Sequence, residues 1–150
     1  MADAKSETVH ASCVLVGNRA VLIRGPAGAG KSSLALSLLD AAGTRIAFAR
    51  LVADDRVQLA AVHRRLLASA PASIAGLLEV RGLGIRRIPY EPEAVVDLVV
   101  DLAANDADRL PAASATRTTV LGVDLPRLPV AAAVDPLPIV IASLSTAHHS

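Results

Sequence analysis

An α/β domain, with a mixed sheet and flanking helices, is the fold class this sequence predicts, and three observations carry it. Short β-branched apolar runs alternate with turn residues, a glycine-rich loop joins one such run to a helical stretch, and strand-like runs resume beyond it. The length of 150 residues suits one domain.

Taken in order, residues 1–9 are polar and read as a flexible leader, leaving 10–150 as the folded domain. His10 to Val16 and Ala20 to Ile23, separated by Gly17-Asn18, predict a β-hairpin. After the loop Gly25 to Ser32, Ser33 to Ala42 places Leu34, Leu38 and Leu39 at helical spacing, with Gly43 suited to the C-terminal cap. Ile46 to Ala53 reads as a strand that stops at Asp54-Asp55. Val57 to Val62 and Leu66 to Ala68 make a second hairpin around His63-Arg64-Arg65. Pro71 to Leu78 predicts a short helix, and Ala94 to Leu102 a strand whose wet face carries Asp97 and Asp101. Thr119 to Val123 gives a weaker strand. Beyond Pro126 the prolines at 129, 136 and 138 interrupt the pattern, so the tail reads as a short helix or loose chain.

Composition excludes several function classes. Hydrophobic residues make up 53% and charged residues 19%, which rules out disorder. The core must be aliphatic, because Phe48 and Tyr90 are the only aromatics. Fifteen basic and fourteen acidic residues nearly cancel, and no aromatic platform exists for stacking bases, so nucleic acid is not an expected partner. Cys13 is the only cysteine, which leaves no intrachain disulfide and no cysteine-based zinc site. Charges and prolines break every apolar run before the ~20 residues of a spanning helix, and Met1 to Ser12 lacks the apolar core of a signal peptide. No membrane partner and a cytoplasmic location are the expectations.

Gly25-Pro26-Ala27-Gly28-Ala29-Gly30-Lys31-Ser32 satisfies the phosphate-loop pattern in full. Its glycines let the backbone wrap a polyphosphate and point N–H groups inward. Lys31 supplies a point charge to the β- and γ-phosphates, Ser32 an oxygen for magnesium, and the following helix its positive end. A glycine-rich turn with no ligand is the competing reading, and the strand and helix around the motif argue against it.

Leu51-Val52-Ala53-Asp54-Asp55 is an apolar run ending in two carboxylates, and the carboxyl ends of strands border the ligand crevice in open α/β sheets. One carboxylate can organise hydrated magnesium and the other can accept a proton from an attacking hydroxyl. A solvated turn with Asp55 paired to Arg56 explains the same letters. Glu79, in Leu78-Glu79-Val80-Arg81-Gly82-Leu83-Gly84-Ile85, is either a third carboxylate near the metal or a salt-bridge partner of Arg81. His10 in isolation reads as structural, and His63, His148 and His149 are assigned no role.

Taken together, His10, the phosphate loop, Val52-Ala53-Asp54-Asp55-Arg56-Val57 and Glu79-Val80-Arg81-Gly82-Leu83-Gly84-Ile85 resemble the catalytic domain of HPr kinase/phosphorylase in its short form, over His10 to Ile85. The resemblance implies a PEP carboxykinase-like P-loop fold. It also implies ATP- and Mg2+-dependent phosphorylation of a serine on HPr, the phosphocarrier of the phosphotransferase system, with phosphorolysis as the reverse reaction. Residue by residue, it implies that Lys31 holds phosphate, Ser32 and Glu79 bind magnesium, and His10 assists at the transferred group. Asp55 would serve as base, with Asp54 its rival. A homo-hexamer is implied as well. The chain departs from the family pattern in an extra stretch, Thr44 to Ala49, and in Leu128 to Val134, where no arginine follows Val130; most of the later helices are also missing. Those departures bear on phosphorolysis and on HPr docking. Two other readings compete: a P-loop small-molecule kinase, and a non-catalytic nucleotide-binding regulator favoured by Ala131 to Ala133.

Overall fold

Short strands dominate the described residues, with two α-helices among them. The computed structural model describes residues 5–146. Its elements run β1 (Lys5–His10), β2 (Ser12–Val16), β3 (Arg19–Arg24), α1 (Lys31–Asp40), β4 (Ala49–Ala53), β5 (Arg56–Val62), β6 (Arg65–Ser69), β7 (Leu77–Val80), β8 (Gly84–Arg87), β9 (Ala94–Leu102), β10 (Arg117–Val120), β11 (Val123–Val130) and α2 (Pro136–Ser145). Short 3-10 turns lie at Ala72–Ile74 and Ala113–Thr116. The main sheet follows the order β1-β5-β6-β9-β3-β2-β4, with β11 joining at β9 and carrying β10, while β7 and β8 form a separate hairpin.

Strand β9 organises this sheet. It runs parallel to β3 along one edge; along the other it meets β6 at Ala94 and Val95 and β11 from Val99 to Leu102. Ala20 of β3 faces Val96, but Val21 faces Leu98, so Asp97 is an extra residue on β9. Such a bulge shifts the alternation of side chains and bends the strand. Accordingly Ala94 and Val96 enter one apolar core, whereas Leu98, Val100 and Leu102 enter the other.

The second core holds both helices. Leu34, Ala35 and Leu38 of α1 and Val140 and Ile141 of α2 pack on Val14, Val21, Ile23 and Val100. Each fully buried leucine contributes about 1.5–3 kcal/mol of transfer free energy. Among the described residues the opposite face has no α-helix. It is closed by the curl of the sheet, which brings Val120, Val123 and Leu125 of β10 and β11 over Leu22, Leu59 and Val96. The mixed α/β class is as expected, but the helices flank one face only.

Several elements differ from their sequence expectation for identifiable reasons. Lys5 to Val9, expected to be part of a flexible leader, are a strand paired with β5. They sit at a sheet edge with mostly exposed side chains, so polarity there signals an edge rather than disorder. The fourth strand begins at Ala49, because Ile46 is drawn into a bridge with Ala42 behind α1. Pro71 to Leu78 yields one 3-10 turn before β7 begins at Leu77. The weak strand at Thr119 is the tip of a hairpin, β10 to β11, and Pro126 and Pro129 lie inside β11, whose outer side is free of β10 beyond Pro126. The tail forms α2, capped by the Asp135 carboxylate, which accepts from the Leu137 N–H. His148 and His149 lie outside the described residues. No described helix is long and apolar enough to cross a membrane.

Candidate functional site

The loop between β3 and α1 lies at the mouth of an open cleft of about 980 Å³. Gly25 turns out of β3 with φ 155°, and a Cβ there would meet Leu102 Cβ at 3.1 Å and its carbonyl at 3.2 Å, so only glycine lets the loop leave the sheet along this path. At the other end Gly30 is the N-cap of α1 with φ 99° and offers no side-chain acceptor, and the first turn carries no acidic residue. The first N–H groups of α1 therefore have no side-chain cap, and no acidic residue of the first turn beside them. Lys31 folds back and donates to the carbonyls of Gly25 at 2.8 Å and Pro26 at 3.1 Å, which holds the loop closed.

The adjacent carboxylates Asp54 and Asp55 have different fates. Asp54 directly follows β4 and is 4% exposed. Its Oδ1 accepts from Ser12 Oγ at 2.6 Å and Ser32 Oγ at 2.7 Å, and its Oδ2 accepts from the Glu79 N–H at 3.2 Å. Asp55 follows in a left-handed conformation, φ 71°, which aspartate tolerates better than most residues. The tight turn, closed by Arg56 N–H to Asp54 C=O at 2.8 Å, puts Asp55 on the cleft wall, exposed. The alternative pairing with Arg56 is not formed; among the described residues Asp55 has no ion pair.

Strand pairing brings His10 to the same place. His10 ends β1 opposite Arg56, and the next residue, Ala11, donates its N–H to the Asp55 carbonyl. His10, Lys31, Ser32, Asp55 and Glu79 all line this one cleft, together with Gly25, Pro26, Ala27, Gly28 and Gly30. Ala29 does not line it; its methyl group packs toward the helix-side core. Asp54 lies beneath the wall, with both oxygens already accepting hydrogen bonds. Glu79 and Arg81, on the β7–β8 hairpin, are exposed and form no salt bridge with each other. Among the described residues no three histidine, cysteine or carboxylate groups converge to hold a cation alone. Hard oxygen donors are nonetheless present at Ser32 and Glu79, which suits an ion that keeps water and phosphate oxygens as its other ligands.

Sequence reasoning missed two features. Ser12 drew no attention as the partner of Asp54, and an isolated serine in an apolar strand carries no signal of its own. Arg24, Asp101, Arg127 and Asp106 form a connected ion-pair chain beside the start of the loop. Asp101, expected with Asp97 on the wet face of its strand, is the member of this ion-pair chain that the sequence pattern singles out. Cys13 is fully buried, and burial pushes its thiol up to about 12, so it is inert.

Comparison with known proteins places this architecture. The structure aligns with that of the Hpr(Ser) kinase/phosphatase from Coxiella burnetii with a TM-score of 0.72 and 26% identity, covering 92% of this chain and 93% of that one. The HPr kinase/phosphorylase of Geobacillus thermodenitrificans is 36% identical over 139 residues, covering 85% of this chain and 43% of that protein. That of Clostridium tetani is 39% identical over 92 residues, 60% of this chain and 28% of that protein. The chain thus spans less than half the length of these curated relatives. The family model for the HPr Serine kinase C-terminal domain matches residues 2–147, nearly the whole sequence, and to that family this chain belongs.

Proposed function

We propose that this chain is an ATP-dependent serine kinase acting on HPr, built on a PEP carboxykinase-like P-loop fold, and able in principle to run the transfer backwards with inorganic phosphate. The observation that carries this reading is the single cleft shared by the glycine-rich loop, Lys31, Ser32, Asp55 and His10. Phosphoryl transfer needs a polyphosphate held in line, its charge neutralised, and a base for the attacking hydroxyl.

In this reading the loop amides and the N-terminus of α1 hold the β- and γ-phosphates, and Lys31 exchanges its two carbonyl partners for phosphate oxygens. Ser32 and Glu79 supply protein oxygens to magnesium, which when bound lowers the charge repulsion around the phosphates. Asp55 accepts the serine proton as the serine oxygen bonds to the γ-phosphorus. The bond from that phosphorus to the β,γ-bridging oxygen breaks and ADP leaves. Asp54 is unsuited to this task, since both its oxygens already accept hydrogen bonds. His10 faces the transferred group from the end of β1. Arg81 is the one guanidinium on the cleft lining, where it adds positive charge at the mouth.

Incubation with labelled ATP, magnesium and HPr should place label on a serine of HPr. Lys31→Ala should weaken ATP binding by about ten- to a hundredfold, the loss of a charge-assisted contact, while the domain stays folded. Unchanged ATP binding in that variant, or label on a small molecule in place of HPr, would overturn the reading.

A further inference from the structure

We propose that Ser12 is a positioning residue for the cation that accompanies the nucleotide, acting through Asp54 and Ser32; this rests on the phosphoryl-transfer reading above. Ser12 opens β2, whose next residue, Cys13, pairs with Ala53, so its side chain arrives beside Asp54. It is 1% exposed and sits in an apolar run, between Ala11 and Cys13, that are themselves fully buried. A hydroxyl at such a position loses its water without gaining apolar contact, and its bond to Asp54 is the compensation. Alanine or cysteine would serve the strand equally well.

The geometry around Asp54 gives that hydroxyl a task. An ionised carboxylate only accepts hydrogen bonds, so both serine protons must point at the shared Oδ1. Ser32 lines the cleft, and with its proton committed to Asp54 its lone pairs are left for the cleft side. That is the orientation a hard cation requires of a hydroxyl ligand. Asp54 can impose it only if its own carboxylate is fixed, and two groups fix it: the Glu79 N–H on Oδ2 and Ser12 on Oδ1. Without Ser12, Oδ1 keeps Ser32 as its single partner, the carboxylate gains freedom to rotate, and Ser32 can turn its proton toward the cleft. Outer partners of this kind commonly change metal affinity by about 10–100-fold.

The test is calorimetric binding of ADP to the intact chain, with magnesium and with a chelator, for the unaltered protein, Ser12→Ala and Ser12→Thr. Magnesium should strengthen ADP binding in the unaltered protein. Ser12→Ala should lose about tenfold of that gain, leave chelator-phase affinity unchanged, and be rescued by Ser12→Thr. Should Ser12→Ala fail to fold, Ser12→Cys, similar in size and a weak donor, takes its place with the same expected loss. A variant that keeps the full magnesium gain overturns the role of Ser12 alone, as does an equal loss with and without the metal. If the unaltered chain binds no ADP, or gains nothing from magnesium, the parent reading fails and this one with it.

Discussion

Replacing Asp55 with asparagine is expected to cut phosphoryl transfer to HPr by about 10²–10⁴-fold, the range over which a positioned general base contributes. Magnesium-dependent ATP binding and melting temperature should stay close to those of the unaltered chain. The substitution is clean for a backbone reason: asparagine accepts the left-handed φ of 71° as readily as aspartate does, so the turn after β4 persists. Asp54→Asn should behave differently. There an amide replaces a carboxylate that accepts from two serines and a backbone N–H, so one donor is left facing another group's proton, and stability and metal-dependent binding fall together. Transfer assays and binding isotherms on both variants separate the roles. Full transfer by Asp55→Asn, or loss of transfer without loss of binding in Asp54→Asn, would reassign the base.

That division between two neighbouring carboxylates marks where the sequence stops being readable. The loop Gly25 to Ser32 and the first hairpin are legible because turn chemistry and apolar periodicity are local properties, and β9 is found with its full extent from Ala94 to Leu102. The choice between Asp54 and Asp55 is not local. It depends on a backbone turn, and on where Ser12, 42 positions earlier, arrives in the sheet. The edge strand Lys5–His10 was hidden for a related reason, since exposure at a sheet edge and exposure in a loose terminus select the same polar residues. The breaks in strand register were equally invisible, because Asp97 on β9 and Val52 on β4 are extra residues in runs whose apolar pattern otherwise looks regular.

Asp101→Asn is expected to destabilise the domain by about 3 kcal/mol, the low end for breaking a buried ion pair because Arg24 remains partly solvated. For a domain of this size that is a fall of about 6–12 °C in melting temperature. Arg24 and Asp101 face each other across the β3–β9 ladder and make two bonds of 2.7 Å, while Arg127, only 14% exposed, bonds Asp101 from β11 and Asp106 beyond it. Asparagine leaves the part-buried guanidinium of Arg127 with an exposed carboxylate, Asp106, as its one remaining charge partner among the described residues. Acid titration shows whether charge is the cause. Partial burial by itself pushes the Asp101 carboxyl up, but hydrogen bonds from Arg24 and Arg127, together with their charges, outweigh it and hold the group below the usual carboxylate range. A depressed folded value means that the unfolded chain binds more protons, so this contribution is complete above the unfolded value of about 3.9 and is lost as pH falls through the folded one. The stability gap between the two proteins should therefore be widest near neutrality and narrow below about pH 4. A gap of constant size down to pH 3 would point to packing around β9 instead of the ion pairs. Because Arg24 directly precedes Gly25, the same bonds hold the strand end from which the phosphate loop departs, so a weakened network should also be felt as looser nucleotide binding well below the melting temperature.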